Sequence, residues 1–168
     1  MEMLDWKNLP FGYMKTDYNI RCHYRNGKWG DLEVSTSEYI DIHIAATGLH
    51  YGQEAFEGLK AYMGKDGRIR LFRWEENAKR LILSAGGINM AAFPMELFRE
   101  ALFKVVDLNR KFVPPYGSGA TLYIRPLLYG SGAEVGVKPS CEYTFIVFVS
   151  PVGPYFKGGV KPVNMMIC

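Results

Sequence analysis

The chain has 168 residues, 48% of them hydrophobic and 22% charged, with a net charge of +3; that balance suits one globular core, or one domain with a piece of another. Its 20 basic residues are scattered rather than blocked, which argues against a nucleic-acid surface, and no apolar run approaches the ~20 residues that a membrane-spanning helix needs. Cys22, Cys141 and Cys168 form neither a CxxC pair nor a metal-binding spacing, and the leading MEMLDWKNLPFG is too polar for a secretory signal, so the expected location is the cytoplasm.

Strand signals fill the first third. Segments 18–24 and 28–35 flank Asn26-Gly27, a favoured two-residue hairpin turn. Segment 39–44 alternates Ile40, Ile42 and Ile44, which predicts a half-buried strand. Segments 58–63 and 68–72 flank GKDG and predict a second hairpin. Over 75–85, Ala78, Leu81, Ile82 and Ala85 fall on one helical face, and Gly86-Gly87 is expected to end that helix. Pro94 opens a second helix that reaches Arg110, with Phe98, Ala101, Leu102 and Val105 on its apolar stripe. After the VPPYGSG loop come two apolar strands, 120–129 and 143–151, joined by GSGAEVGVKPS. Strands, two consecutive helices, then strands predict an α+β fold: an antiparallel sheet with two helices packed on one face. That domain is expected over residues 1–152. A Gly- and Pro-rich linker and the first strand of a truncated second domain are expected over 153–168, because VKPVNMMIC reads as a buried strand just beginning.

The stretch LHYGQEAFEGLKAY crowds rings, bare backbone and charge together. It fits either a core corner or a pocket for a flat ligand. Lys60 among aromatics has the makings of a Schiff-base amine, but alternation also lets it point outward from a strand, which is the stronger reading. In TLYIRPLLYG, Tyr123 and Arg125 share one strand face. An arginine in an apolar strand wants a carboxylate; Glu57 is one conceivable partner, and carboxylate recognition is the functional alternative. Equally, Arg125 fits an outward position on an edge strand, to which Pro126 points. Arg80 borders the stripe of its helix, either solvated or reaching out as a phosphate clamp. His23, His43 and His50 have no metal spacing, and there is no GxSxG, Walker or GxGxxG motif.

Six blocks in order, LPFGYMKTDY, LHYGQEAFEGLKAY, LFRWEENAKRLILSA, LYIRPLLYG, EVGVKPS and FVSPVGPYFKGG, resemble the N-terminal half of a branched-chain amino acid aminotransferase, a fold-type IV pyridoxal-phosphate enzyme. The long lead with PFG and the full HYGQEAFEGLKAY favour this family over its relatives, the D-amino acid aminotransferases and aminodeoxychorismate lyases. A non-catalytic module binding a small carboxylate is the alternative from another class. The resemblance implies that Arg80 holds the phosphate of pyridoxal 5'-phosphate. It implies that Phe11, Tyr51, Phe56, Tyr123 and Tyr155 line the pocket for the branched side chain, and that Arg125 stands beside the substrate. Gly58 matches the close-approach glycine of FEG. Val137 matches a residue that reaches the neighbouring subunit's pocket in a homodimer. Where Gly87 stands, family members usually carry an arginine, a departure that bears on helix packing rather than the pocket. The resemblance also implies that the lysine bonding the cofactor lies beyond residue 168, with Lys60 at a non-catalytic position. The amino group of leucine, isoleucine or valine would then pass to 2-oxoglutarate in a ping-pong exchange, with no metal and no catalytic residue in this portion.

Overall fold

Asn26 and Gly27 take left-handed φ angles of 53° and 78°, and this turn starts the sheet. A two-residue hairpin needs positive φ at both central positions, which Asn-Gly supplies at least strain. The computed structural model describes residues 4–155 together with Pro162, Met165 and Met166. The linker and following strand expected over 153–168 fall mostly outside the described residues.

Strand β1 (Asn19–Arg25) pairs with β2 (Lys28–Trp29) at one end and β3 (Glu33–Ser35) at the other, so the single strand expected over 28–35 is interrupted. A short helix α1 (Thr47–Tyr51) leads to β4 (Glu54–Phe56), β5 (Leu59–Met63) and β6 (Ile69–Leu71). Helices α2 (Trp74–Gly87) and α3 (Met95–Leu108) follow, then the long strands β7 (Thr121–Gly130) and β8 (Tyr143–Val152). The sheet runs β2-β1-β8-β7-β5-β6, antiparallel throughout, with β4 also on β7.

The sheet buries one face under both helices, as the α+β expectation requires. From β7 that face presents Leu122, Ile124 and Leu128; from β8, Phe145, Val147 and Val149. Ala78, Leu81 and Ala85 of α2 and Phe98, Ala101, Leu102 and Val105 of α3 close it. The two stripes read from 3.6-residue periodicity are the ones buried. Within this core Phe93 stacks on Phe145 with ring centroids 3.8 Å apart and planes 7° from parallel. The buried Asn109 caps α3 and straps the N-terminal segment to it. Its Oδ1 accepts from the Asp17 and Tyr18 amides, and its Nδ2 donates to the Tyr18 and Val105 carbonyls.

Three local expectations fail. Segment 39–44 forms no strand: Tyr39 and Ile44 are over four-fifths exposed, because β1 already has its partner on that side in β3, and 39–44 runs over the surface. Helix α2 includes both glycines and ends at Gly87, but neither glycine supplies the left-handed stop expected of the pair. Asn89, not a glycine, takes the left-handed conformation, with φ 53°. The Asn89 amide bonds the Gly86 carbonyl and the Met90 amide bonds that of Ala85, a Schellman ending with Met90 tucked into the core. Pro126 lies in a central strand rather than at an edge, opposite the interruption between β4 and β5, where the ladder is broken and a missing N–H costs little.

Replacing Phe145 with alanine removes a ring stacked between layers and is expected to cost about 3–5 kcal/mol of unfolding free energy in a urea titration. Cys22 is fully buried, and burial, with Glu33 next in effect, pushes its thiol up to about 11. In a Cys168→Ser background, a thiol reagent at pH 8 is therefore expected to label the exposed Cys141 and to reach Cys22 only on denaturation.

Candidate functional site

The interruption between β4 and β5 falls at Glu57-Gly58, and the site is built around it. Side chains alternate along extended backbone. Glu57 points toward the helices, while Phe56 and Gly58 face the other side of the sheet, which no helix covers along this stretch. Glu57 is only 4% exposed. Arg80 of α2 grips it with a two-pronged fork: Nε donates to Oε1 at 2.8 Å and Nη2 donates to Oε2. Asn77, one turn earlier, donates from Nδ2 to Oε2 at 2.9 Å. The fork raises the Arg80 pKa above its ordinary value and fixes the direction of the guanidinium, whose side chain stays 63% exposed. An arginine held from behind with its outer edge in solvent is set to meet an anion. Glu57 is thus the partner of Arg80, not of Arg125.

Arg125 finds rings instead. Its Nε donates to Tyr123 Oη at 2.9 Å, and its guanidinium carbon lies 4.5 Å from the Phe56 ring centroid and 5.2 Å from that of Tyr123, both cation–π geometries. Gly58 makes room for this group. A Cβ there would stand 2.6 Å from Tyr123 Oη, so any side chain would dislodge the phenol. Phe11 adds an edge contact to Tyr123 at 5.8 Å and another to Tyr155 at 5.0 Å. The lead segment carrying Phe11 is tied to β8: the Met14 amide donates to Ser150 Oγ at 2.8 Å, and Ser150 Oγ donates to the Gly12 carbonyl. The Gly153 amide donates to the Pro10 carbonyl.

Phe11, Phe56, Gly58, Tyr123, Arg125 and Tyr155 therefore form one cluster, with Arg80 behind the strand break. Tyr51 and Val137 do not join it. Helix α1 packs beside Tyr129 and Gly130, toward the far end of β7. There Tyr51 Oη donates to the Val135 carbonyl, and Val137 is 88% exposed. The buried Gln53 braces that end: it accepts from Thr47 Oγ1 and the Ser140 amide and donates to the Ile88 carbonyl. Sequence reasoning missed both Glu57 as anchor of Arg80 and this Gln53 knot. The EG pair after an aromatic, Glu57-Gly58 following Phe56, was the available signal for the first.

No family model matches the chain. It is 50% identical over 166 residues to the branched-chain-amino-acid aminotransferase of Haemophilus influenzae, spanning 99% of this chain and 48% of that protein. Identity to the Helicobacter pylori branched-chain-amino-acid aminotransferase is 48% over 161 residues, 96% of this chain and 47% of that one. The chloroplastic branched-chain amino acid aminotransferase 2 of Humulus lupulus is 45% identical over 173 residues, 98% of this chain and 40% of that one. The chain thus spans about half the length of the curated relatives it matches, or somewhat less. Its fold superposes on crystalline Escherichia coli branched-chain amino acid aminotransferase with a TM-score of 0.65 and 28% identity, over 84% of this chain and 41% of that one. A Thermoproteus uzoniensis branched-chain aminotransferase solved with norvaline gives 0.64 at 23% identity, over 82% and 43%, a likeness of fold.

Removing Arg80 strands a buried carboxylate, whereas removing Glu57 returns a mostly exposed guanidinium to water. Arg80→Met is expected to destabilise the chain by on the order of 3 kcal/mol and Glu57→Gln by about 1 kcal/mol, read from urea unfolding of each variant; equal costs would contradict the asymmetry.

Proposed function

We propose, from the chain's membership of the branched-chain-amino-acid aminotransferase family, that it builds one wall of a pyridoxal-phosphate site moving the amino group of leucine, isoleucine or valine to 2-oxoglutarate. The observation that carries this is the pairing of two differently held arginines on either side of one strand break. Arg80 is braced by a carboxylate with its outer edge free to donate, which fits the phosphate dianion of the cofactor. Arg125 is braced by rings, which fits a carboxylate bound next to apolar surface. When bound, the cofactor supplies the electron sink that an amino-group exchange requires.

The residues of this chain then act by binding and exclusion. Phe11, Phe56, Tyr123 and Tyr155 offer flat apolar area to a branched side chain at little rotamer cost. Gly58 keeps the Tyr123 hydroxyl against the backbone, so the phenol can steady Arg125. Lys60 carries no bond to the cofactor in this reading; the lysine that does so belongs to sequence beyond residue 168. A homodimer accounts for Tyr51 and Val137. They lie outside their own chain's cluster, on an exposed apolar patch with Leu49 and Val135, and fit the pocket of a second copy. The sparse cysteines, of which Cys22 and Cys141 are free among the described residues, support the cytoplasm as its location; the Humulus lupulus relative is named as chloroplastic. Among the described residues no helix is long and apolar enough to cross a membrane.

In a full-length protein containing this chain, leucine is expected to exceed D-alanine as amino donor by at least about tenfold in kcat/KM, a margin of roughly 1.4 kcal/mol. Preference for D-alanine would sink the branched-chain reading. The 168-residue chain mixed with pyridoxal phosphate and borohydride is expected to yield no peptide labelled at Lys60, and such a peptide would reverse the role given to that lysine.

A further inference from the structure

We propose that Ser150 is a positioning residue for side-chain specificity: its hydroxyl clamps the lead segment to the sheet and so fixes Phe11 as a wall for the branched side chain. The proposal rests on the transaminase reading above. Ser150 lies in β8 opposite Tyr123 of β7, and paired residues on neighbouring strands rise from the same face of a sheet. Ser150 therefore stands on the side of the ring cluster, yet it is only 3% exposed. The lead segment lies over it, close enough for two hydrogen bonds.

One oxygen holds two points of that segment. Ser150 Oγ accepts from the Met14 amide at 2.8 Å and donates to the Gly12 carbonyl at 3.2 Å, which uses its proton and a lone pair. On the other side of Phe11, the Gly153 amide donates to the Pro10 carbonyl at 3.1 Å. Phe11 is thus pinned before and after, and its ring meets those of Tyr123 and Tyr155. Tyr13 sits edge-on to Phe148 at 6.1 Å and donates to Glu38 at 2.7 Å. Thr16 Oγ1 donates to the Val149 carbonyl at 3.1 Å, and Asn109 takes the next two amides. The lead is a strap fastened at intervals along β8. The fastening at Ser150, unlike that at Gly153, rests on a side chain that a substitution removes.

Phe11 stays 41% exposed, so burial alone does not hold its ring in place. Without the hydroxyl, the Met14 amide and the Gly12 carbonyl lose their partner and recover hydrogen bonds by turning to water. The strap then loosens around Phe11, and the ring leaves Tyr123. A leucine side chain loses that apolar contact area, whereas the single methyl of alanine has little to lose. The backbone ladder between β7 and β8 needs no serine hydroxyl, so the sheet beneath keeps its register.

The test uses the full-length holoenzyme with Ser150→Ala, Phe11→Ala and the double variant, assayed with L-leucine and L-alanine as amino donors. Ser150→Ala is expected to raise KM for leucine by roughly fivefold with kcat nearly unchanged, and to alter kcat/KM for alanine by less than about twofold. Both changes act through one ring, so the double variant is expected to be no worse than Phe11→Ala alone. Hydrogen exchange of the Met14 amide, resolved by fragment mass spectrometry, is expected to quicken by at least about tenfold in Ser150→Ala while the amides of β7 keep their protection. Equal losses on both donors, no loss on either, or losses that add in the double variant overturn the specificity role of Ser150. Unchanged exchange at Met14 overturns the clamp itself. Absence of leucine turnover in the unmutated enzyme sinks the transaminase reading instead, and the exchange measurement still decides on the clamp.

Discussion

A carboxylate removed from water must find donors or give up its charge, and Glu57 finds three where the strand opposite β7 is broken. Arg80 and Asn77 supply them from adjacent turns of α2. The bond couples the interruption of the sheet to the helix layer, so neither can shift alone. It also orders what surrounds it. With Glu57 drawn toward the helices, Phe56 before it and Gly58 after it must face the opposite side. A single buried acid thereby sets the aim of the Arg80 guanidinium, the position of a ring and the place of a bare backbone.

The two faces of the sheet follow different rules. The helix side is filled by aliphatic and phenylalanine side chains that touch on all sides, as in any close-packed core. The other side carries rings and cations held by single hydrogen bonds and edge contacts, and much of it is accessible: Phe56 is 61% exposed. A fold stabilised on one face is free to spend the other on binding, and the register of β5 and β7 decides which residues go where. Leu122 and Ile124 sink into the core, while Tyr123 and Arg125, between and beyond them, cannot.

The helices were legible because their apolar stripes recur over fourteen residues each and no other arrangement buries them. The long strands β7 and β8 were legible because they are apolar and bounded by turn residues. The false strand at 39–44 had the right alternation but no partner: periodicity reports a surface able to be buried, and only the topology decides whether something buries it. The break at Glu57-Gly58 was half legible. The glycine announced a close approach, and the structure shows that what approaches is Tyr123. The pairing of Glu57 with Arg80 was not legible, because its partners lie 23 residues apart on elements whose relative placement no local pattern encodes. Proline in β7 misled for the same reason, since its tolerance depends on a gap in a neighbouring strand.

Each arginine of the site is oriented within this chain, Arg80 by Glu57 and Arg125 by Tyr123 and Phe56. The conformational cost of ordering them is met by the fold itself rather than at the moment of binding. The same holds at the far end of β7, where the Tyr51 hydroxyl on the Val135 carbonyl joins α1 to the loop carrying Val137. Two preorganised groups at opposite ends of one strand cannot serve one pocket of one chain, since side chains do not span that length. They can serve two pockets if two copies of the sheet exchange ends. In the proposed homodimer the separation of Tyr51 and Val137 from the ring cluster would be a requirement of the site, and the bond between Tyr51 and the Val135 carbonyl would hold the pair together.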